Sequence, residues 1–152
     1  KINKNLFFYI VGDYDPKNQN SIDKSTFNEI IKSKSLKFLG YKSNISKSIL
    51  NSDCIVLPSY REGLSRVLLE ALALGKPIIT TKVPGCDELC RNKNGLLCEV
   101  KSTDSLLEKI LFFSNLSYKE ILSMGKASRV LVNNYDITKV IKQYNIVTNK
   151  II

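Results

Sequence analysis

Glu62 and Glu70 stand with seven residues between them, the first in a polar loop and the second inside an apolar run. The loop, residues 57–63, leads from an apolar strand into a helix expected to begin near Leu64. The first amides of any helix lack partners within it, and with the helix dipole they make a seat for an anion such as phosphate. Gly63 permits close backbone approach, and Arg66 one turn in either adds positive charge there or faces solvent. If the stretch were helical throughout, the two carboxylates would lie roughly 12 Å apart along the axis. A diphosphate over the helix start would then sit between them, leaving each acid to accept hydroxyls from a different sugar ring. The same pair also fits an ordinary helix with a charge at each end, since Glu62 near a helix start favours the dipole.

The elements that would position this stretch alternate along the chain. Residues 6–11 form a continuous apolar run ended by Gly12, which predicts a buried strand. Residues 22–33 have helical spacing, 36–39 a short strand closed by Gly40, and 45–51 a short helix starting near Ser43 or Asn44. Residues 54–57 read as another buried strand, 64–74 as a helix closed by Gly75, and 78–81 as the next strand. A short helix at 86–90, a turn around Gly95 and a strand at 96–98 follow. Three helices complete the pattern, at 103–113, 118–132 and 137–148, the first two capped by Ser102 or Thr103 and by Ser117. The fold class expected is α/β: a Rossmann-like parallel sheet with helices on both faces. Such sheets bind ligands outside the carboxyl ends of their strands, where Glu62 and Gly63 fall.

Composition narrows the chemistry. The chain has 152 residues, 43% hydrophobic and 24% charged, as in a soluble globular domain. The net charge is +9, but the lysines are scattered without interleaved aromatics, so no nucleic-acid partner is expected. A basic face resting on an anionic membrane suits the charge better. Cys54, Cys86, Cys90 and Cys98 include no Cys-x-x-Cys pair and the chain has no His, so they read as reduced, structural thiols rather than a metal site. Reduced thiols suit a cytoplasmic protein, and the Lys, Asn and Ile bias suits a bacterial source. The sequence starts at Lys1 rather than Met, and a piece of a longer protein is expected. Phe112 and Phe113 read as core. Asp87 and Glu88 read either as helix-start acids or as groups near a ligand.

The segment PSYREGLSRVLLEALALGKPIITT at 58–81, with PGCDEL at 84–89 and NGLL at 94–97, resembles the retaining glycosyltransferases of family four. The likeness extends upstream to SDCIVLP at 52–58, FLG at 38–40 and VGD at 11–13, and is to the carboxy-terminal half of their GT-B fold. The resemblance implies that the whole chain is one nucleotide-sugar-binding domain, without its first strand, cut from a two-domain enzyme. It implies that Glu62, the catalytic candidate, holds hydroxyls of the transferred sugar, and that amides of Gly63, Leu64 and Ser65 meet the sugar and diphosphate. Arg66 adds charge there, Glu70 takes the ribose, and Tyr41 and Lys42 lie near the base. The implied reaction is retaining transfer from a nucleotide sugar, expected to be a UDP-sugar, to a saccharide or lipid-linked acceptor, with no metal and no cofactor.

The sequence departs from the family pattern in several places. The Gly-Arg strand and Lys that reach the diphosphate in that family would precede Leu6, and the amino-terminal domain with its His is expected to lie outside this piece. Activity of this piece alone is therefore not expected. Ser65 stands where Gly or Pro is common, and Asp13-Tyr14-Asp15 replaces a Gly-rich continuation. Two other readings fit the pattern: an epimerase fragment of the same architecture, and a non-catalytic nucleotide-binding module. A dinucleotide site is not indicated, because Val11-Gly12-Asp13 has no Gly-x-Gly-x-x-Gly sequel.

Overall fold

The computed structural model describes residues 6–17, 21–33, 35–91, 93–136, 138–139, 141–142 and 146. The chain divides into two compact units, one up to Ile45 and one from Ser46 onward. In the first, β1 (Phe8–Ile10) pairs in parallel with β2 (Leu36–Phe38), and α1 (Lys24–Lys32) connects them. Phe27 of α1 stacks on Tyr14 at 5.1 Å and meets Phe38 edge-on at 5.3 Å, so one side of this small sheet carries an aromatic core. The other side does not: Phe7 and Tyr9 are 79% and 52% exposed. The strand expected to be buried therefore alternates, because its apolar run supplies both sides of a two-stranded sheet and the aromatic cluster around Phe27 of α1 lines one of them.

The start of α1 is set by Asp23, whose carboxylate accepts from the Thr26 amide at 2.9 Å and the Thr26 hydroxyl at 2.8 Å. The Ser25 hydroxyl, first, and then the Thr26 donors hold the Asp23 carboxyl well below its usual range. A depressed folded pKa contributes stability above the unfolded value, near 4, that is lost as pH falls through the folded one. Amide exchange at Thr26 is accordingly expected to stay protected at pH 5 and to quicken only well below pH 4; loss of protection already at pH 5 would remove this cap.

The second unit is a three-stranded parallel sheet, in the order β3 (Ile55–Leu57), β4 (Ile78–Thr81), β5 (Gly95–Cys98). α2 (Ser46–Leu50) precedes it, α3 (Arg66–Ala73) links β3 to β4, and α4 (Thr103–Ser114) and α5 (Tyr118–Val132) follow β5. Parallel strands alternating with flanking helices are the expected α/β arrangement. β4, at the centre, is buried along its whole length. β3 is an edge strand with Val56 outward, which corrects the expectation that it is buried throughout. The core gathers Leu68, Ala71 and Leu72 of α3 with Ile78 and Ile79 of β4, Leu89, Cys98 and Leu131. α5 has the expected bounds, closed by a reciprocal capping box between Ser117 and Glu120.

Three local expectations are corrected. Gly95 opens β5 instead of sitting in a turn; a Cβ there would lie 2.4 Å from the Ile78 carbonyl oxygen, so contact with β4 excludes a side chain. The left-handed residue of that turn is Lys93, with φ 63°. Phe113 is core as expected, but Phe112 on the next face of α4 is 56% exposed. Of the helix expected at 137–148, residues 138, 139, 141, 142 and 146 are helical, and the remainder lies outside the described residues.

Candidate functional site

α3 is amphipathic at helical spacing. Leu68, Ala71 and Leu72 recur at the three- and four-residue intervals of one face and are fully buried. Arg66 and Glu70, four residues apart, share the opposite, exposed side. The helix begins at Arg66, two residues later than expected, with Ser65 as its cap residue. Ser65 is 2% exposed and its amide donates to the Gly85 carbonyl at 3.3 Å. The Ser65 amide, expected to face a sugar or diphosphate, is thus engaged within the protein. The Ser65 side chain makes no cap hydrogen bond, and among the described residues the amides of Arg66, Val67 and Leu68 begin the helix unpartnered. The later start also removes the basis of the expected 12 Å: Glu70 lies about 6 Å along the axis from Arg66, and Glu62 lies in the loop outside the helix.

The loop carrying Glu62 is fastened from several directions. The Ser59 hydroxyl donates to Glu62 Oε1 at 3.0 Å. The Thr81 hydroxyl at the end of β4 donates to the Ser59 carbonyl, and the Thr80 hydroxyl donates to the Leu57 carbonyl at 2.8 Å. Glu62 is half-buried, while Gly63, Leu64, Arg66 and Glu70 are exposed. Below the loop lies Gly85, with φ 80°. A Cβ on Gly85 would stand 1.6 Å from the Gly63 carbonyl oxygen and 3.0 Å from that of Glu62. The loops after β3 and β4 therefore touch backbone to backbone, and only glycine at 85 permits this.

Negative charge gathers under the loop. The Cys86 thiol is raised above its ordinary value first by burial and then by the charges of Glu62 and Asp87, with a Thr80 hydrogen bond opposing. Asp87 opens a short 3-10 turn, Asp87–Leu89, and its Oδ1 is buried without a hydrogen-bond partner among the described residues. The Cys90 thiol is pushed up to about 12 by burial first, then by Cys98 and Asp87. At that value it is a thiol, not a thiolate, at neutral pH. Among the described residues no three His, Cys, Asp or Glu side chains group closely enough to hold a metal. No helix among the described residues is long and apolar enough to cross a membrane.

The structure thus brings Glu62, Gly63, Leu64, Ser65, Arg66 and Glu70 together around one helix start. Tyr41 and Lys42 belong to the first unit, just past β2, and both are exposed, Tyr41 by 75%. Sequence patterns assign no role to Ser59, Thr81 or Gly85. Their contacts join segments some twenty residues apart, and the one local signal was the Pro84-Gly85 dipeptide.

Known proteins resemble this chain in sequence and in fold. An N-acetylgalactosaminyltransferase of Campylobacter jejuni, named for a diphospho-undecaprenol substrate, is 40% identical over 83 residues, 54% of this chain and 22% of its own length. An alpha-1,3-galactosyltransferase of Escherichia coli, named for UDP-Gal and a diphosphoundecaprenol acceptor, is 30% identical over 133 residues, 87% of this chain and 34% of its own. The chain thus spans about a third or less of these relatives. Among solved structures, HepE of Anabaena in complex with UDP superposes with a TM-score of 0.81 at 23% identity, over 95% of this chain and 41% of that one. That likeness shows the fold, the α/β half of a GT-B architecture. The sequence signature described as glycosyl transferases group 1 matches residues 1–131, and the chain belongs to that family.

Proposed function

We propose that this chain is the nucleotide-sugar-binding domain of a two-domain glycosyltransferase that moves a glycosyl group from a UDP-sugar to a saccharide or lipid-linked acceptor, with retention. The observation that carries the reading is the start of α3: unpartnered amides, with Glu62 fastened before them and Glu70 one turn along the exposed side. The relatives named for UDP-Gal and for diphospho-undecaprenol support the donor and acceptor classes. The work belongs to surface polysaccharide or glycan biosynthesis at the cytoplasmic membrane face, where a chain of +9 charge gains from anionic lipid.

In this reading the donor diphosphate takes the amides of Arg66, Val67 and Leu68 and the Arg66 guanidinium. These donors are fixed before the reaction and aimed where charge develops as the anomeric C–O bond breaks. Glu62, positioned by Ser59, accepts hydroxyls of the transferred sugar and holds its ring. Gly63 and Leu64 offer the amides next to it, and the Ser65 amide serves the loop instead. Glu70 accepts the ribose hydroxyls. The assignments of Tyr41 and Lys42 to the base rest on the family resemblance.

Calorimetric titration tests the reading. UDP is expected to bind, and Glu70→Ala to weaken it about ten-fold, the loss of one charge-assisted hydrogen bond. Equal affinity of the variant would remove the ribose role, and preference for NAD over UDP would overturn the donor assignment.

A further inference from the structure

The donor site uses only part of the edge on which it lies. β3, β4 and β5 are parallel, so Leu57, Thr81 and Cys98 end at one edge of the sheet. Arg61, Lys82 and Lys101 follow those three ends by four, one and three residues, and all are exposed. Neighbouring strands lie about 4.8 Å apart, so the three ends span only about 10 Å.

Two features tie together the loops that carry these cations. The Lys82 amide donates to the Cys98 carbonyl at 3.1 Å, and the Thr81 hydroxyl holds the Ser59 carbonyl, so the three loops are tied to one another. Lys101 has φ 58°, a left-handed conformation that side chains rarely adopt, and its ammonium lies 5.7 Å from the centre of the Tyr60 ring. The ring orients the ammonium without neutralising it. Among the described residues the one ion pair is Lys109 with Glu108, so none of the three has a carboxylate partner. The acids of the same connections are Glu62, already held by Ser59, Asp87 and Glu88 five and six residues after Lys82, and Glu99 two residues before Lys101.

We propose that Arg61, Lys82 and Lys101 form a second anion subsite that receives the phosphate of the acceptor. The inference rests on the donor reading, which assigns the first anion seat to the start of α3. Cations without a carboxylate partner on a narrow rim raise the local concentration of an oppositely charged substrate. A footprint about 10 Å wide suits a diphosphate group rather than a membrane plane.

The test titrates the full chain with UDP to saturation and then with inorganic pyrophosphate. Pyrophosphate is expected to bind in the presence of UDP, and about ten-fold more weakly in the Lys82→Gln, Lys101→Gly double variant, with UDP affinity unchanged. Glycine at 101 suits the left-handed backbone, so the double variant is expected to melt no lower than the parent. Pyrophosphate that binds only by displacing UDP overturns the subsite, as does unaltered binding in the variant. Should UDP fail to bind while pyrophosphate still titrates and is lost in the variant, the donor reading falls and the anion subsite stands. Vesicles of phosphatidylglycerol and phosphatidylethanolamine give the other arm: binding lost in the variant while pyrophosphate binding persists would replace the acceptor by a membrane.

Discussion

Replacing Gly85 by alanine is expected to abolish UDP binding and to cost about 3 kcal/mol of stability, combining a strained backbone with a forced contact. The new methyl would stand 1.6 Å from the Gly63 carbonyl oxygen, and that neighbour is backbone, which cannot rotate away. The φ of 80° penalises any side chain as well. Relief requires the two loops to part, which moves Glu62 and releases the Ser65 amide from the Gly85 carbonyl. Gly75 provides the control. Its φ is 69°, yet a Cβ there first meets the flexible Arg129 side chain at 3.2 Å. Gly75→Ala should therefore cost only roughly 1–2 kcal/mol and leave UDP affinity intact. Thermal melts and UDP titrations of both variants decide the matter; a Gly85→Ala protein that binds UDP normally would show that the loop contact is dispensable.

Leu68→Ala is expected to lower stability by about 3–4 kcal/mol, a large share of the roughly 5–15 kcal/mol of a typical domain. Leu68 is completely buried in the face of α3 that meets the sheet. Truncation loses its transfer free energy and leaves a cavity that the fixed backbone around β4 closes only partly. Leu64, 45% exposed just before the helix, should change by less than about 0.5 kcal/mol when truncated. Urea denaturation followed by circular dichroism measures both. A Leu68→Ala loss no larger than that of Leu64→Ala would mean that α3 is held by its ends and not by its buried face.

Much of this was legible in the sequence for a physical reason: the signals were local. Ser117 and Glu120 write a capping box into the chain, and α5 starts there. The run at 78–81, between Pro77 and a polar residue, reads as a strand and is one. The alternation of such strands with helical spacing gave the fold class. What was not legible depends on neighbours far along the chain. An apolar run looks the same in a central strand as in an edge one, so the exposure of Tyr9 and Val56 could not be foreseen. α3 starts only at Arg66 because Ser65 is held extended, with ψ 110°, beside the Gly85 carbonyl twenty residues further on, to which its amide donates. The glycines at 85 and 95 are required by backbone that crosses them, and no pattern of adjacent residues announces such a crossing.

The rear of α3 carries a consequence for motion. The Ser128 hydroxyl donates to the Lys76 carbonyl at 2.7 Å, Arg129 donates to the Ala73 carbonyl, and α5 approaches so closely that a Cβ on Gly125 would lie 2.3 Å from the Gly75 oxygen. The Lys76 ammonium donates to the Leu50 carbonyl at 2.8 Å, adding α2 to the fastening. α3 is thus a cantilever, clamped at the root and bare at the tip. In the proposed donor reading, charge arriving at the tip acts on a beam held against sliding backwards, so the side chains in front of it are the parts expected to yield.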